Sequence, residues 1–365
     1  MTSAPDPARW SRRTVLVAGT AVAGTALIGC TAPPTSRPPA GGPTPAPTAA
    51  GGGAASPAPA QPVPAFPGAV EAIRRQEAIV AHTATVLAVA HDELGAAGRR
   101  LIGRIRDQHL AHVASLSTPD PTDPTSTPPA TPATPPTSPT PTSSPSGKKP
   151  TPAAALAQLR TAASTAAVAH RKAALTAEGL SALLWGSLAT NAAATAGLLK
   201  AADPVGDDRD SGGAVVAEVA ARAPMPVVSV VAAEQEMVRQ LHAIVYGYQL
   251  ALGRLTGDRR DRASAELRRH RILRDRLTAR LLDRKADVPV AAAAYVPSTT
   301  PRNATTAAKL VRQLETALVP FCGLWLAAAT SPTERAEALD QLSRTAAVSR
   351  QWGAVLTTWP GWTSV

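Results

Sequence analysis

The chain has 365 residues, of which 36 are Pro and only 3% are aromatic, and its formal net charge at pH 7 is +11. So much proline with so few aromatics excludes a packed core running the whole length of the chain, and part of it must stay solvated. With Cys30 and Cys322 as the only thiols, a disulfide-stapled scaffold is excluded too.

The first thirty residues read as an address. Arg12 and Arg13 stand ahead of a moderately apolar stretch, the signal read by the twin-arginine exporter, which carries folded cargo. That stretch is shorter than the roughly 20 residues a membrane span needs, and it is rich in Gly, Thr and Ala. It ends in Leu27-Ile28-Gly29-Cys30, which resembles the lipobox of bacterial lipoproteins. The resemblance implies that residues 1–29 are a cleaved signal peptide. It also implies that Cys30 carries a diacylglyceryl anchor on the outer face of the cytoplasmic membrane. Residues 30–66 are then a tether of Pro, Ala, Gly and Thr, able to reach about 100 Å at polyproline rise.

Helical periodicity begins after the tether. Val70, Ile73, Glu77, Val80, Ala84, Leu87, His91 and Leu94 recur at steps of three and four, and Gly95 and Gly98 bracket a turn. A returning helix places Ile102, Ile105, His109, His112 and Leu116 on one side. A second Pro- and Thr-rich tract, 117–152, interrupts the pattern and reads as a disordered insertion. Leu156, Leu159, Ala163, Ala166 and His170 mark a third helix; Leu180, Leu184, Leu188, Asn191, Thr195 and Leu198 mark a fourth. Residues 67–201 therefore predict a four-helix block, and 202–226 a linker.

Residues 227–365 repeat the theme. Met237, Leu241, Ile244, Val245, Tyr248 and Leu252 define one stripe, and Ala263, Leu267, His270, Leu277 and Leu281 the next. Val311, Leu314, Leu318, Phe321 and Trp325 form the third. Ser331-Pro332-Thr333-Glu334 is a capping box with Pro in first helical position, opening a helix that runs to Trp352. No period-two run suggests a sheet. The expected fold is all-α: two four-helix bundles, the first with its long insertion, on a Pro-rich tether.

Leu241-His242 through Tyr246 and Tyr248, Arg269-His270-Arg271 with Arg274-Asp275, residues 291–295, Trp352-Gly353 and Pro360-Gly361 together resemble the actinobacterial ferritin-like domain of unknown function. The likeness covers residues 232–362 and implies a ferritin-like four-helix bundle without an established activity. Position 241, commonly glutamate in that pattern, is Leu here.

A ferritin-type dimetal centre needs a carboxylate from each of two helices and a Glu-x-x-His pair from each of the others. The second block offers only Glu266 with His270, four apart, plus Glu234 and Glu315. An ordinary intrahelical pair on a solvated helix explains Glu266 and His270 without an ion. The first block offers Glu77, His109, His112 and His170, where His109-x-x-His112 projects two imidazoles the same way, as a zinc or iron site requires. A buried Glu satisfied by one imidazole is the competing explanation. No nucleophile elbow, phosphate-binding glycine loop, His-Glu-x-x-His or Cys-x-x-Cys pattern is present.

Residues 254–285 are rich in Arg. Export argues against nucleic acid, leaving Arg268, Arg269, Arg271, Arg274 and Arg276 as contacts for anionic lipid or wall polymer, or simply as a solvated face. Cys322, beside Phe321 and Trp325, reads as a small buried hydrophobe. The sequence thus points to a membrane-anchored envelope lipoprotein that binds or scaffolds an envelope partner. A metal-binding or redox ferritin-like protein is the alternative.

Overall fold

Alanine and leucine at helical spacing, cut by glycine and proline, leave the chain little choice but helices, and eight are present among the residues described. The computed structural model describes residues 66–127, 150–199 and 221–364. The export signal, Cys30, the tether as far as residue 65 and most of the 117–152 insertion and the 202–226 linker lie outside them.

The first block comprises α1 (Ala69–Val89), α2 (Gly95–Leu116), α3 (Pro152–Thr176) and α4 (Gly179–Leu198). The turn between α1 and α2 falls at residues 90–94, earlier than Gly95 and Gly98 suggested, because Gly95 supplies a positive φ of 60° at the start of α2. Gly98 is instead buried within that helix, and His91 is exposed in the turn. Residues 118–126, the start of the insertion, form consecutive turns in which Asp120 and Asp123 each accept hydrogen bonds from the Thr two positions on. Thr151 caps α3, and Pro152 follows at its first position.

The second block comprises α5 (Val230–Leu252), α6 (Gly257–Asp283), α7 (Ala304–Ala328) and α8 (Pro332–Gln351). Ser331 and Glu334 make the capping box expected at α8, and Asn303 with Thr306 makes another at α7.

The two blocks share a core, and the described residues form one compact unit. The cause is α4. Residues 182–192 are buried on every side, as a helix without a polar face must be. One side of α4 packs on α3, whose buried residues include Ala155, Ala163 and Ala166. The other packs on α7 and α8, where Gly186 lets Leu326 and Leu339 approach so closely that any Cβ would collide.

A C-terminal strap completes the joint. Leu356 inserts among the first block's hydrophobes, while Trp352, Trp359 and Trp362 belong to the shared core. Gly361, at φ 92°, crosses α7 against Gly323, and a Cβ on Gly323 would occupy the Gly361 carbonyl. Strap carbonyls also serve the first block: Gln108 Nε2 donates to Leu356 O at 2.7 Å and Asn191 Nδ2 to Thr357 O at 3.0 Å.

Candidate functional site

Three buried histidines converge in the first block. His109 and His112 come from α2 and His170 from α3, and each is essentially inaccessible. The fourth member is not Glu77. That carboxylate is exposed, and its neighbour Gln76 faces inward instead, one residue or roughly 100° round the helix. The apolar stripe of α1 therefore runs through Ala72, Gln76, Ile79, Thr83 and Val86, not through Ile73, Glu77 and Val80.

Gln76 is the hub. Its Oε1 lies 2.5 Å from His109 Nδ1 and 3.3 Å from His112 Nδ1, and its Nε2 lies 2.9 Å from His170 Nε2. His112 Nε2 stands 2.8 Å from the Thr358 carbonyl of the strap, so the single proton of a neutral ring belongs there. Its Nδ1 is then a lone pair, which needs a donor. Turning the amide end for end supplies one: the NH2 group donates to His109 and His112, and the carbonyl accepts from His170. His109 Nε2 is left buried without a partner.

Burial disfavours the charged form of all three rings. It holds His109 well below the ordinary value of 6.5, takes His112 down to about 4 and His170 to about 3, and the Arg222 guanidinium near His112 and Arg75 near His170 oppose their charging further. Aromatic surfaces wall the cluster. Trp185 stacks on His170 at 5.6 Å between centroids, and Trp359 meets His112 edge-on at 4.6 Å. Beyond Trp359, the Arg222 guanidinium lies over both Trp359 and Trp362, at 4.5 and 4.8 Å, and donates to Ser115 Oγ at 2.6 Å.

The second block treats its polar groups differently. Glu315 on α7 accepts from Tyr248 of α5 and from His270 of α6, the latter at 2.7 Å, while its Oε2 is buried without a partner. Burial and the adjacent carboxylate push the Tyr248 phenol well above its ordinary value. Glu234 is wholly buried and held by Arg280, at 2.9 Å, and by Arg284. Its carboxyl is raised by burial, an effect the two guanidinium groups only partly offset. Glu266 accepts from Arg269 and, at 3.0 Å, from Arg344.

Glu266 and His270 are thus no solvated intrahelical pair. Both are buried, and His270 reaches across to Glu315. Nor do Glu234, Glu266, His270 and Glu315 form one set, because Glu234 and Glu266 are each engaged by arginine. Among the described residues no group of three or more His, Cys, Asp or Glu is placed to hold a metal ion. In the first block the Gln76 amide stands between the three imidazoles.

Four of the nine arginines of α6 are ion-paired, as is Arg284 just past its end. Arg269 meets Glu266, Arg274 meets Asp275, Arg276 meets Glu337 at 2.8 Å, and Arg280 and Arg284 reach Glu337 and Glu334 of α8. Arg268 and Arg271 stay exposed. Sequence reading missed Gln76, Tyr248 and the strap's backbone carbonyls. Only Tyr248 carried a signal, a phenol in an apolar stripe, which must find an acceptor when buried.

The molecule is therefore an all-α protein whose two helical blocks share a core and whose first block encloses an imidazole cluster. Residues 233–364, most of α5 through the strap, match the family model described as Domain of unknown function (DUF4439). The crystal structure of a conserved hypothetical protein from Mycobacterium tuberculosis is similar at 24% sequence identity. That likeness covers 34% of this chain and 93% of the other, with a TM-score of 0.33. Comparison with curated proteins finds no match.

Proposed function

We propose that this chain is an exported lipoprotein, anchored through Cys30 to the outer face of the cytoplasmic membrane, whose ferritin-like second block and attached first block bind or scaffold a partner in the cell envelope without catalysis. The observation that carries the non-catalytic reading is the fate of the second-block carboxylates. A dimetal centre needs its carboxylates and Glu-x-x-His pairs aimed at shared ions. Here Glu234 and Glu266 are spent on arginines, and Glu315 accepts hydrogen bonds from Tyr248 and His270. Anchoring is supported by Leu27-Ile28-Gly29-Cys30 behind Arg12 and Arg13; no described helix is long and apolar enough to cross a membrane.

Mass spectrometry of the native protein should find residue 30 as a diacylated N-terminus, and crosslinking in intact cells should capture an envelope partner. An unmodified thiol at Cys30, or a cytosolic location on fractionation, would overturn the reading. Contact with anionic lipid or wall polymer is a second reading, favoured by the exposure of Arg268 and Arg271. It requires salt-sensitive flotation of the unlipidated chain with anionic vesicles, lost in the double variant Arg268→Ala, Arg271→Ala.

A further inference from the structure

We propose that the three-histidine cluster is an acid-released latch: protons taken up around Gln76 free the C-terminal strap and loosen α1, α2 and α3, while α5 and α7 stay folded. The parts of such a device meet at one joint. Gln76 of α1 gathers His109 and His112 of α2 and His170 of α3. His112 holds the strap, its Nε2 on the Thr358 carbonyl at 2.8 Å and its ring edge-on to Trp359 at 4.6 Å. Arg222 lies over the same Trp359 at 4.5 Å, and the segment carrying it joins the strap through the Ala223 N–H on the Thr363 carbonyl at 2.9 Å. A proton on His112 therefore sets a second cation against one indole of the strap.

The closed joint has hydrogen bonds for one extra proton but no charge to balance it. A proton on Nδ1 of His112 is met if the Gln76 amide turns back to present its carbonyl and His170 gives up its Nε2 proton. His109 Nε2 is buried without a partner, so a proton there has no acceptor. No carboxylate pairs with any of the three rings, and the charged groups that face them are positive. From α1 comes Arg75, itself paired with Glu71 at 2.9 Å; on α2 the rings of His109 and His112 are 5.2 Å apart and oppose each other's charging. On α3, Arg171 is turned away to Asp340 at 2.7 Å. Trp185 of α4 and Trp359 of the strap are neutral, and beyond Trp359 the Asp120 and Asp123 carboxylates favour the charge of Arg222. Burial holds all three rings below 6.5, so each takes up a proton more readily once the joint opens. The closed form is therefore favoured above about pH 6.5 and loses ground as pH falls. Between pH 7 and pH 5 each released ring favours the open form by about 25-fold, and three together by on the order of 10,000-fold.

Hydrogen exchange of the full chain, followed by mass spectrometry from pH 7 to pH 5 and corrected for intrinsic rates, tests the latch. Peptides of the strap and of α1–α3 should lose protection together and steeply, with about three protons taken up per opening, while peptides inside α5 and α7 keep theirs. The double variant His112→Gln, His170→Gln cannot titrate at either position and keeps an N–H donor at each. It should open with about one proton and at lower pH. His91→Ala, at an exposed ring, should change nothing. Strap protection independent of pH would overturn the proposal, and so would α5 and α7 opening together with the strap. The native chain alone decides both outcomes, even if the double variant misfolds. An unchanged steepness in a folded double variant would overturn it as well.

Discussion

The first block and the second both bury polar side chains, but by opposite means. The groups hydrogen-bonded around Gln76 are neutral, the rings kept so by burial, and their partners are an amide and a backbone carbonyl. Around α6 the currency is charge: carboxylates on α5, α6 and α8 are held by arginines, several half-exposed. A neutral network avoids the desolvation of ions but depends on each donor finding its acceptor. An ionic network tolerates looser geometry, yet a single deletion strands a charge. The contrast teaches where each block is vulnerable.

The largest effect should come from Glu315→Ala. It leaves the Tyr248 hydroxyl and the His270 ring buried without their acceptor, and losing one member of such a set costs about 3–5 kcal/mol. Urea denaturation should show the midpoint falling at constant slope, with Glu315→Gln less damaging because it keeps an acceptor oxygen. A loss below about 1 kcal/mol would mean that water replaces the carboxylate. High pH attacks the same helix. Burial pushes the Cys322 thiol from 9.0 up to about 12, so above pH 9 the unfolded chain has lost a proton that the folded chain retains. Stability must therefore fall as pH rises from 9 toward 12, by about 1.4 kcal/mol per unit for this group alone. Cys322→Ala should flatten that slope in thermal melts; an unchanged slope would assign it to other groups, Tyr248 first.

In the first block, Gln76→Leu removes the hub and leaves His109, His112 and His170 facing a hydrocarbon. The protein should lose about 2–3 kcal/mol, because each buried ring loses its amide partner without water to replace it.

The sequence made the helices legible because the apolar period is strong and the breaks are marked by glycine, proline and capping residues such as Ser331 and Glu334. The histidines of the cluster were legible for the same reason, lying on stripes. Gln76 was not. Taking Ile73, Glu77 and Val80 as the inner face instead of Ala72, Gln76 and Ile79 rotates α1 by one residue, and alanines on both sides of the helix blur that choice. The shared core was hidden differently. A single stripe on α4 accounts for Leu184, Leu188 and Asn191, but Leu183, Trp185, Gly186 and Ser187 are buried as well, because a second bundle covers the face that solvent would otherwise claim. The strap's polar role was invisible in principle, since it runs through the backbone carbonyls of Leu356, Thr357 and Thr358, which any residue would provide.

Salt gives the finest separation of the two interiors. The Arg276–Glu337 pair is 2.8 Å long, with the arginine side chain 56% exposed, so its coupling is screened and should be under about 1 kcal/mol. A double-mutant cycle on Arg276 and Glu337 should lose most of that coupling between low salt and 1 M salt, where the screening length is about 3 Å. The corresponding cycle on Gln76 and His112 involves no net charge and no solvent-exposed atom, so its coupling should hold across the same range. Equal salt sensitivity in the two cycles would show that an imidazole of the cluster carries charge at neutral pH. The Gln76 amide would then accept from a cationic ring, keeping its carbonyl toward His112 rather than turning end for end.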